Sequence, residues 1–108
     1  MHKLALSNNT MEFIIKNIQK STNDLMRTLG YQPAYFQKAG EVSIVRPLAR
    51  QDYPRFHLYI KPLGADLNFS LHLDQKKPSY EGQTGHSGDY DGEVVEDEAK
   101  RIKSLLEI

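Results

Sequence analysis

Two histidines near the middle of the chain have a spacing that could bring their side chains together. His57 lies in the alternating run 55–61, and His72 lies in the alternating run 67–74. Apolar residues occupy every second position of both runs, so the histidines point away from the core if the runs are strands. Gly64 fits the first central position of a two-residue type II′ turn between them. A hairpin closed at this turn sets His57 directly opposite His72.

Imidazoles paired in this way, with Cβ atoms about 5 Å apart, could share a metal ion or act as acid and base in the hydrolysis of a phosphoester. His86 could join them if the segment after the second strand folds back over the sheet, and Asp74 could orient a histidine or ligate the metal. We therefore name His57, His72 and His86 as a candidate metal site. Tyr59 and Tyr90 extend these histidines into a candidate ligand-binding surface. The alternative is an ordinary polar sheet face on which two histidines meet by chance.

The segment 87–98 resembles the calcium loop of an EF-hand. The third, fifth, sixth, eighth and twelfth places of that loop are held by Asp89, Asp91, Gly92, Val94 and Glu98. The resemblance implies oxygen ligands for Ca²⁺ from the two aspartates and the glutamate. Ser87 departs from the motif because the first place normally holds aspartate, and residues 78–86 lack the incoming helix. A second explanation is that Asp91 and Gly92 end a loop and cap a helix whose acidic first turn suits the helix dipole.

The first element that we predict is an amphipathic helix over residues 11–29. Its apolar residues recur at spacings of three and four, at Met11, Ile14, Ile15, Ile18, Leu25, Met26 and Leu29. Asn9 can cap its start, and Gly30 can take the left-handed conformation that often ends a helix. The apolar stripe is then expected to pack against a core.

Three alternating runs, 41–48, 55–61 and 67–74, predict an antiparallel sheet. The turn at Gly64 predicts these pairs across the last two strands: Arg55–Asp74, His57–His72, Leu58–Leu71, Tyr59–Ser70, Ile60–Phe69 and Lys61–Asn68. Residues 76–92 form a long glycine-rich loop that we expect to rest against the outward sheet face. From Glu93 the helical spacing returns, with the apolar positions Val95, Ala99, Ile102 and Leu106.

The arginines Arg46, Arg50 and Arg55 interleave with Tyr53 and could meet a nucleic-acid backbone. The order of helix, three strands and helix resembles that of the double-stranded-RNA-binding domain, a family in which a strand-connecting loop touches RNA. That family also carries lysines at the start of its last helix. This chain instead has the acidic residues Glu93, Glu96, Asp97 and Glu98 there, which would repel phosphates, so the likeness is one of topology and nucleic acid is not an expected partner.

The composition narrows the class of protein. A chain of 108 residues with 39% hydrophobic and 26% charged residues is typical of one globular domain. Fourteen basic residues balance fourteen acidic ones, which argues against nonspecific binding to phosphates. Cysteine is absent, which excludes disulfides and thiolate ligands. The apolar run 4–6 is too short for a signal peptide or a membrane span, so we expect a cytoplasmic protein without a membrane partner.

The sequence therefore predicts a single α+β domain over residues 1–108, with a flexible start at 1–8. Its order would be α-β-β-β-α, with both helices on one face of a three-stranded sheet. The leading function is a small soluble binding or interaction module whose ligand or protein partner is unknown. The alternative is a small metal-binding protein or hydrolase centred on the histidines. The sequence contains no Walker-type phosphate loop, no G-x-S-x-G or H-E-x-x-H motif and no dinucleotide-binding fingerprint. Cofactor, enzymatic activity and homo-oligomer formation stay open.

Overall fold

A computed structural model describes residues 4–7, 10–75 and 92–107, which form six β-strands and two α-helices. The elements in chain order are β1 (Leu4–Ser7), β2 (Thr10–Ile15), α1 (Thr22–Leu29), β3 (Gln32–Pro33), β4 (Val42–Pro47), β5 (Arg55–Leu63), β6 (Asp66–Asp74) and α2 (Gly92–Leu106). Apart from Gly92, the predicted loop 76–92 lies outside the described residues. None of the described helices is both long and apolar enough to cross a membrane.

The strands form one antiparallel sheet in the order β1-β2-β6-β5-β4-β3. Five of them have four or more residues, and β3 has only two. The first strands of the chain therefore extend the sheet on the side of β6, away from β4. The central pair is the β5–β6 hairpin, which holds the two histidines.

One face of the sheet is covered by both helices, and this is where the core lies. The strands contribute Met11, Phe13, Ile15, Ile44, Phe56, Leu58, Ile60, Phe69, Leu71 and Leu73 to the core. The helices contribute Leu25, Leu29, Val95, Ala99 and Ile102. Because side chains alternate along a strand, the residues between these core positions lie on the opposite face, which we call the outer face.

The predicted helix over residues 11–29 is wrong in its first half. Residues 10–15 form the strand β2, in which Met11, Phe13 and Ile15 are buried and alternate with partly exposed residues. The ring of Phe13 stacks on that of Phe69 at 5.4 Å between centroids. Pairing with β6 satisfies backbone groups and buries every second side chain, and this tertiary gain overrides the local helical pattern.

Only the second half of that segment is helical, and it has a different cap. Ser21 is the N-cap of α1, and its Oγ accepts a 3.1 Å hydrogen bond from the backbone N–H of Asp24. Asn9 was therefore the wrong cap. Gly30 ends the helix with φ at 81°, as predicted. The order α-β-β-β-α and the three-stranded sheet are consequently wrong, and the topological likeness to the double-stranded-RNA-binding domain is lost with them.

The predicted β5–β6 hairpin is confirmed residue by residue. His57 lies opposite His72, and Arg55 lies opposite Asp74, together with all the other predicted pairs. Gly64 has a φ of 63°, whereas Ala65 is not among the residues with positive φ. This combination fits a type II′ turn and excludes type I′, which needs positive φ at both central residues.

The remaining predicted elements are close to the observed ones. The strand β4 starts and ends one residue inside the predicted run 41–48, and Leu48, the last residue of that run, is 36% exposed. Arg46 instead takes the position opposite Phe56 on the core face. The helix α2 buries Val95, Ala99 and Ile102 as its spacing predicts.

Candidate functional site

The outer face carries a chain of polar contacts centred on His57. Its Nε2 lies 2.7 Å from the Oγ of Ser43, and its Nδ1 lies 3.1 Å from the Oδ2 of Asp74. The three residues come from three adjacent strands, β4, β5 and β6. Ser43 lies opposite Tyr59 in the ladder, one outer-face position along from His57, which explains the diagonal contact.

The carboxylate of Asp74 is held in its ionised form. Burial raises the pKa of Asp74, but the hydrogen bond and charge of His57, and then those of Arg55, outweigh burial and bring this pKa below its ordinary value. The guanidinium Nε of Arg55 lies 3.4 Å from the same Oδ2. When the imidazole of His57 is neutral, an ionised carboxylate beside Nδ1 favours the tautomer in which Nδ1 carries the proton, which leaves the Nε2 lone pair to accept from Ser43.

Tyr59 joins the two histidines through its ring. It stacks on His57 with centroids 4.3 Å apart and an interplanar angle of 21°. It meets His72 edge-on, with centroids 5.2 Å apart. Burial raises the pKa of Tyr59, and the charges of Asp74 and Glu41 add to the effect. The phenol therefore stays protonated at neutral pH and is available as a donor.

His72 has its own partners on the outer face. Its Nδ1 lies 3.2 Å from the Oγ1 of Thr10, and its Nε2 lies 3.3 Å from the Oγ of Ser70. Burial lowers the pKa of His72, an effect that the charge of His57 reinforces and those of Asp74 and Glu12 oppose. The ring is thus neutral at pH 7 and is held by two hydroxyl groups.

The metal site remains a prediction. His57 and His72 lie opposite each other as expected, but each ring nitrogen already has a side-chain partner. Within residues 10–75 and 92–107 there is no group of three His, Asp or Glu side chains placed to hold an ion. His86 and Tyr90 lie outside the described residues.

A pocket of about 250 Å³ opens next to His57 on the outer face. It is lined by Ala34, Tyr35, Phe36, Gln37, Lys38, Glu41, Ser43, Arg55, His57 and Tyr59. We call it the aromatic pocket, because Tyr35 and Phe36 form an edge-to-face pair at 5.0 Å beside the rings of His57 and Tyr59. His72 is not among the lining residues.

The loop that carries Tyr35 and Phe36 is fastened to β4 by one side chain. The Nε2 of Gln37 donates to the carbonyl oxygens of Ala34 and Ser43 at 2.9 and 2.8 Å, and its Oε1 accepts from the N–H of Ser43 at 3.2 Å. The N–H of Ala34 also donates to the carbonyl of Ser43 at 2.9 Å. These contacts fix the loop against the strand that holds Ser43.

Sequence reasoning missed Ser43 and the Tyr35–Phe36 pair as site residues. Two adjacent aromatic residues outside any alternating run were a usable signal, since such residues need either a core or a partner. Ser43 gave no comparable signal. An outward serine in a strand is ordinary, and its contact with His57 depends on the register between β4 and β5.

The three arginines do not form one site. Arg46 lies on the core face, with its Nη1 3.4 Å from the Oε1 of Glu98. Arg55 lies on the outer face, where it contacts Asp74 and lies over the ring of Tyr53 at 4.5 Å. Opposite faces of one sheet cannot present both guanidinium groups to the same phosphate.

Glu98, the twelfth place of the EF-hand resemblance, has a structural role. It is 4% exposed, and its two oxygens accept from Tyr31 Oη at 2.7 Å and from Arg101 Nε and Nη2 at 2.9 Å. A carboxylate so engaged cannot coordinate a calcium ion without breaking these contacts. Residues 87–91, which hold the other aspartates of the motif, lie outside the described part of the chain.

Comparisons of the chain with protein-family models, with curated proteins and with solved structures found no match.

Proposed function

We propose that this protein is a binding module that takes a peptide segment of a partner protein at the aromatic pocket. The observation that carries this proposal is the exposure of Tyr35 and Phe36, at 92% and 81%. The other three phenylalanines of the chain, Phe13, Phe56 and Phe69, are at most 3% exposed. Large apolar side chains that are exposed to solvent beside a pocket are typical of recognition surfaces.

The size of the pocket favours a peptide over a larger small-molecule ligand. Its volume of about 250 Å³ is below the roughly 300–1,000 Å³ of pockets that enclose a drug-sized ligand. It suits one apolar or aromatic side chain, anchored between Phe36 and Tyr59. Tyr35, which also lines the pocket, then adds a flat contact surface with little side-chain entropy to lose.

The charges around the pocket have both signs. Lys38 and Glu41 line it from the segment before β4, and Arg55 lines it from β5. Charged residues of both signs at the pocket can select the peptide residues that flank an apolar anchor. A peptide charge that lies next to a pocket residue of the same sign is repelled. We therefore expect a segment with one apolar anchor flanked by charged residues.

Hydrogen bonds within the protein hold the loop beside the pocket. The three hydrogen bonds of Gln37 fix residues 34–38 against β4. Binding to an ordered loop avoids part of the entropy loss of association. The proposal therefore needs no conformational change in the described residues.

A displayed peptide library tests the proposal. Peptides selected on the wild-type protein should share an apolar or aromatic anchor, and in an NMR titration they should shift the backbone amides of residues 34–43 and 55–59. Phe36→Ser should weaken the binding of a selected peptide at least tenfold, whereas Leu63→Ser should leave it unchanged. Leu63 is a matched control because it is 49% exposed and does not line the pocket. Selected peptides that bind Phe36→Ser as tightly as the wild type would contradict the proposal.

A further inference from the structure

Ser43, His57 and Asp74 form a continuous relay of the kind that activates a serine nucleophile. The Oγ of Ser43 is 2.7 Å from Nε2 of His57, and Nδ1 of the same ring is 3.1 Å from Oδ2 of Asp74. These are hydrogen-bond distances at both ends of the imidazole, with the hydroxyl and the carboxylate on opposite ring nitrogens. The same arrangement of roles recurs on unrelated folds, and it is recognised by geometry and not by chain order.

We propose that Ser43 is a nucleophile that attacks ester carbonyl groups, with His57 as its general base and Asp74 as a positioning residue. This activity goes beyond the proposed binding of peptides, because it needs reactivity at Ser43 and not only contact with aromatic rings. The substrate class is a small carboxylic ester whose acyl group enters the aromatic pocket.

The reaction balances with the groups at hand. The Oγ of Ser43 forms a bond to the carbonyl carbon while Nε2 of His57 takes the hydroxyl proton, and Asp74 stabilises the imidazolium. The bond to the leaving oxygen then breaks, and His57 returns the proton to the departing alcohol. Water repeats the sequence on the acyl-serine, with His57 taking one of its protons. The carboxylic acid is released, and Ser43 regains its hydrogen.

Access to Ser43 comes through the pocket. The residue is only 4% exposed, yet it lines the aromatic pocket together with His57. A carbonyl group that reaches the hydroxyl is therefore surrounded by pocket walls, which exclude water from the reacting centre. Lys38 lines the same pocket and is a donor for the negative charge that develops on the carbonyl oxygen, whereas the hydroxyl of Tyr59 lies 3.5 Å from Nδ1 of His57, on the Asp74 side of the ring.

The chain contains an internal comparison for this relay. Ser70 lies 3.3 Å from Nε2 of His72, which makes a second serine–histidine pair on the same sheet face. The other nitrogen of His72 contacts the hydroxyl of Thr10, and not a carboxylate. Thr10 has no charge to stabilise an imidazolium. Ser70 is also absent from the pocket lining, so we expect Ser43 to react and Ser70 not to react.

A fluorophosphonate probe, which labels activated serines, tests the proposal on the full-length wild-type protein. Intact-mass spectrometry should show one adduct, and peptide mapping should place it on Ser43. Ser43→Ala should abolish the adduct, whereas Ser70→Ala should keep it at the wild-type rate. Asp74→Asn should slow labelling by roughly 10²- to 10⁴-fold, the usual contribution of a general base and its orienting group.

Mapping the adduct on the wild type needs no variant, so the test does not depend on whether a substituted protein folds. A folded wild-type protein that takes up no probe would overturn the proposal, and so would an adduct on Ser70. An adduct on Ser43 that forms equally fast in a folded Asp74→Asn variant would also overturn it. The probe contains no peptide, so these outcomes are separate from those of the library experiment.

Discussion

The hydroxyl of Tyr31 donates a 2.7 Å hydrogen bond to Oε2 of Glu98, a residue 67 positions further along the chain. Burial raises the pKa of Tyr31, and the Glu98 charge adds to the effect, so the phenol remains a donor at neutral pH. Arg101 holds the same carboxylate and also donates to the carbonyl of Leu29 at 2.6 Å. The cluster thereby ties α2 to the C-terminal end of α1.

Replacing Tyr31 with phenylalanine should therefore lower the free energy of unfolding by about 1.5–3 kcal/mol, the usual contribution of a hydrogen bond to a charged group. Urea unfolding of the variant measures the change. Tyr35→Phe is the matched control, because its hydroxyl is on a side chain that is 92% exposed. Equal stability of the two variants would show that the buried hydrogen bond adds nothing.

A second prediction concerns the sheet core. Phe69 is fully buried and stacks on Phe13 between β6 and β2, so Phe69→Ala should lower the free energy of unfolding by about 3–5 kcal/mol. Phe36→Ala removes the same atoms from a side chain that is 81% exposed, and should change stability by no more than about 0.5 kcal/mol. Thermal melts that move equally for both variants would contradict the assigned core.

An element could be predicted where neighbouring residues determine it, and could not be predicted where residues far away in the chain determine it. The β5–β6 hairpin was predictable because Gly64 and two alternating runs fix its register within twenty residues of chain. The strand β2 was not, because Met11, Ile14 and Ile15 fit a helical spacing while Met11, Phe13 and Ile15 fit the alternation of a strand. What decides is the pairing of Thr10 with His72, 62 residues away, which a local pattern does not contain.

The candidate site was also predictable only in part, for the same reason. Alternation along β5 and β6 placed His57, Tyr59 and His72 on one polar face, as observed. The pocket beside them depends on the loop at 34–38 and on the register of β4, which the long connection 48–54 leaves undetermined in sequence. When a long connection separates two strands, the spacing of residues in the sequence does not show which of them lie side by side.

The hydrogen bonds of Gln37 predict how residues 34–38 respond when the nitrogen of its side-chain amide is replaced by oxygen. Gln37→Glu turns the double donor into an acceptor facing the carbonyl oxygens of Ala34 and Ser43, so the loop should leave β4. Amides 34–38 should then exchange faster with solvent, and a library-selected peptide should bind more weakly. Gln51→Glu adds the same charge to an exposed residue outside the pocket and should change neither property. Unchanged exchange at residues 34–38 in Gln37→Glu would contradict the assigned role.

The last prediction concerns stability in mild acid. Burial lowers the pKa of His72, with the charge of His57 in the same direction and those of Asp74 and Glu12 opposed. The unfolded chain, in which a histidine has its ordinary pKa of about 6.5, therefore binds a proton more readily than the folded one. Folding stability should fall as the pH drops below about 6.5, and His72 should add no further loss below its folded pKa.

Asp74 acts in a separate window, because its folded pKa is also lowered but from an ordinary value of about 3.9, so its contribution is lost only at lower pH. Between pH 7 and pH 5, His72→Gln should therefore flatten the dependence of the melting temperature on pH relative to the wild type. NMR titration of the ring proton of His72 measures the cause directly. A midpoint above 6.5 would mean that the neighbouring carboxylates outweigh burial, and stability would then rise as the pH falls.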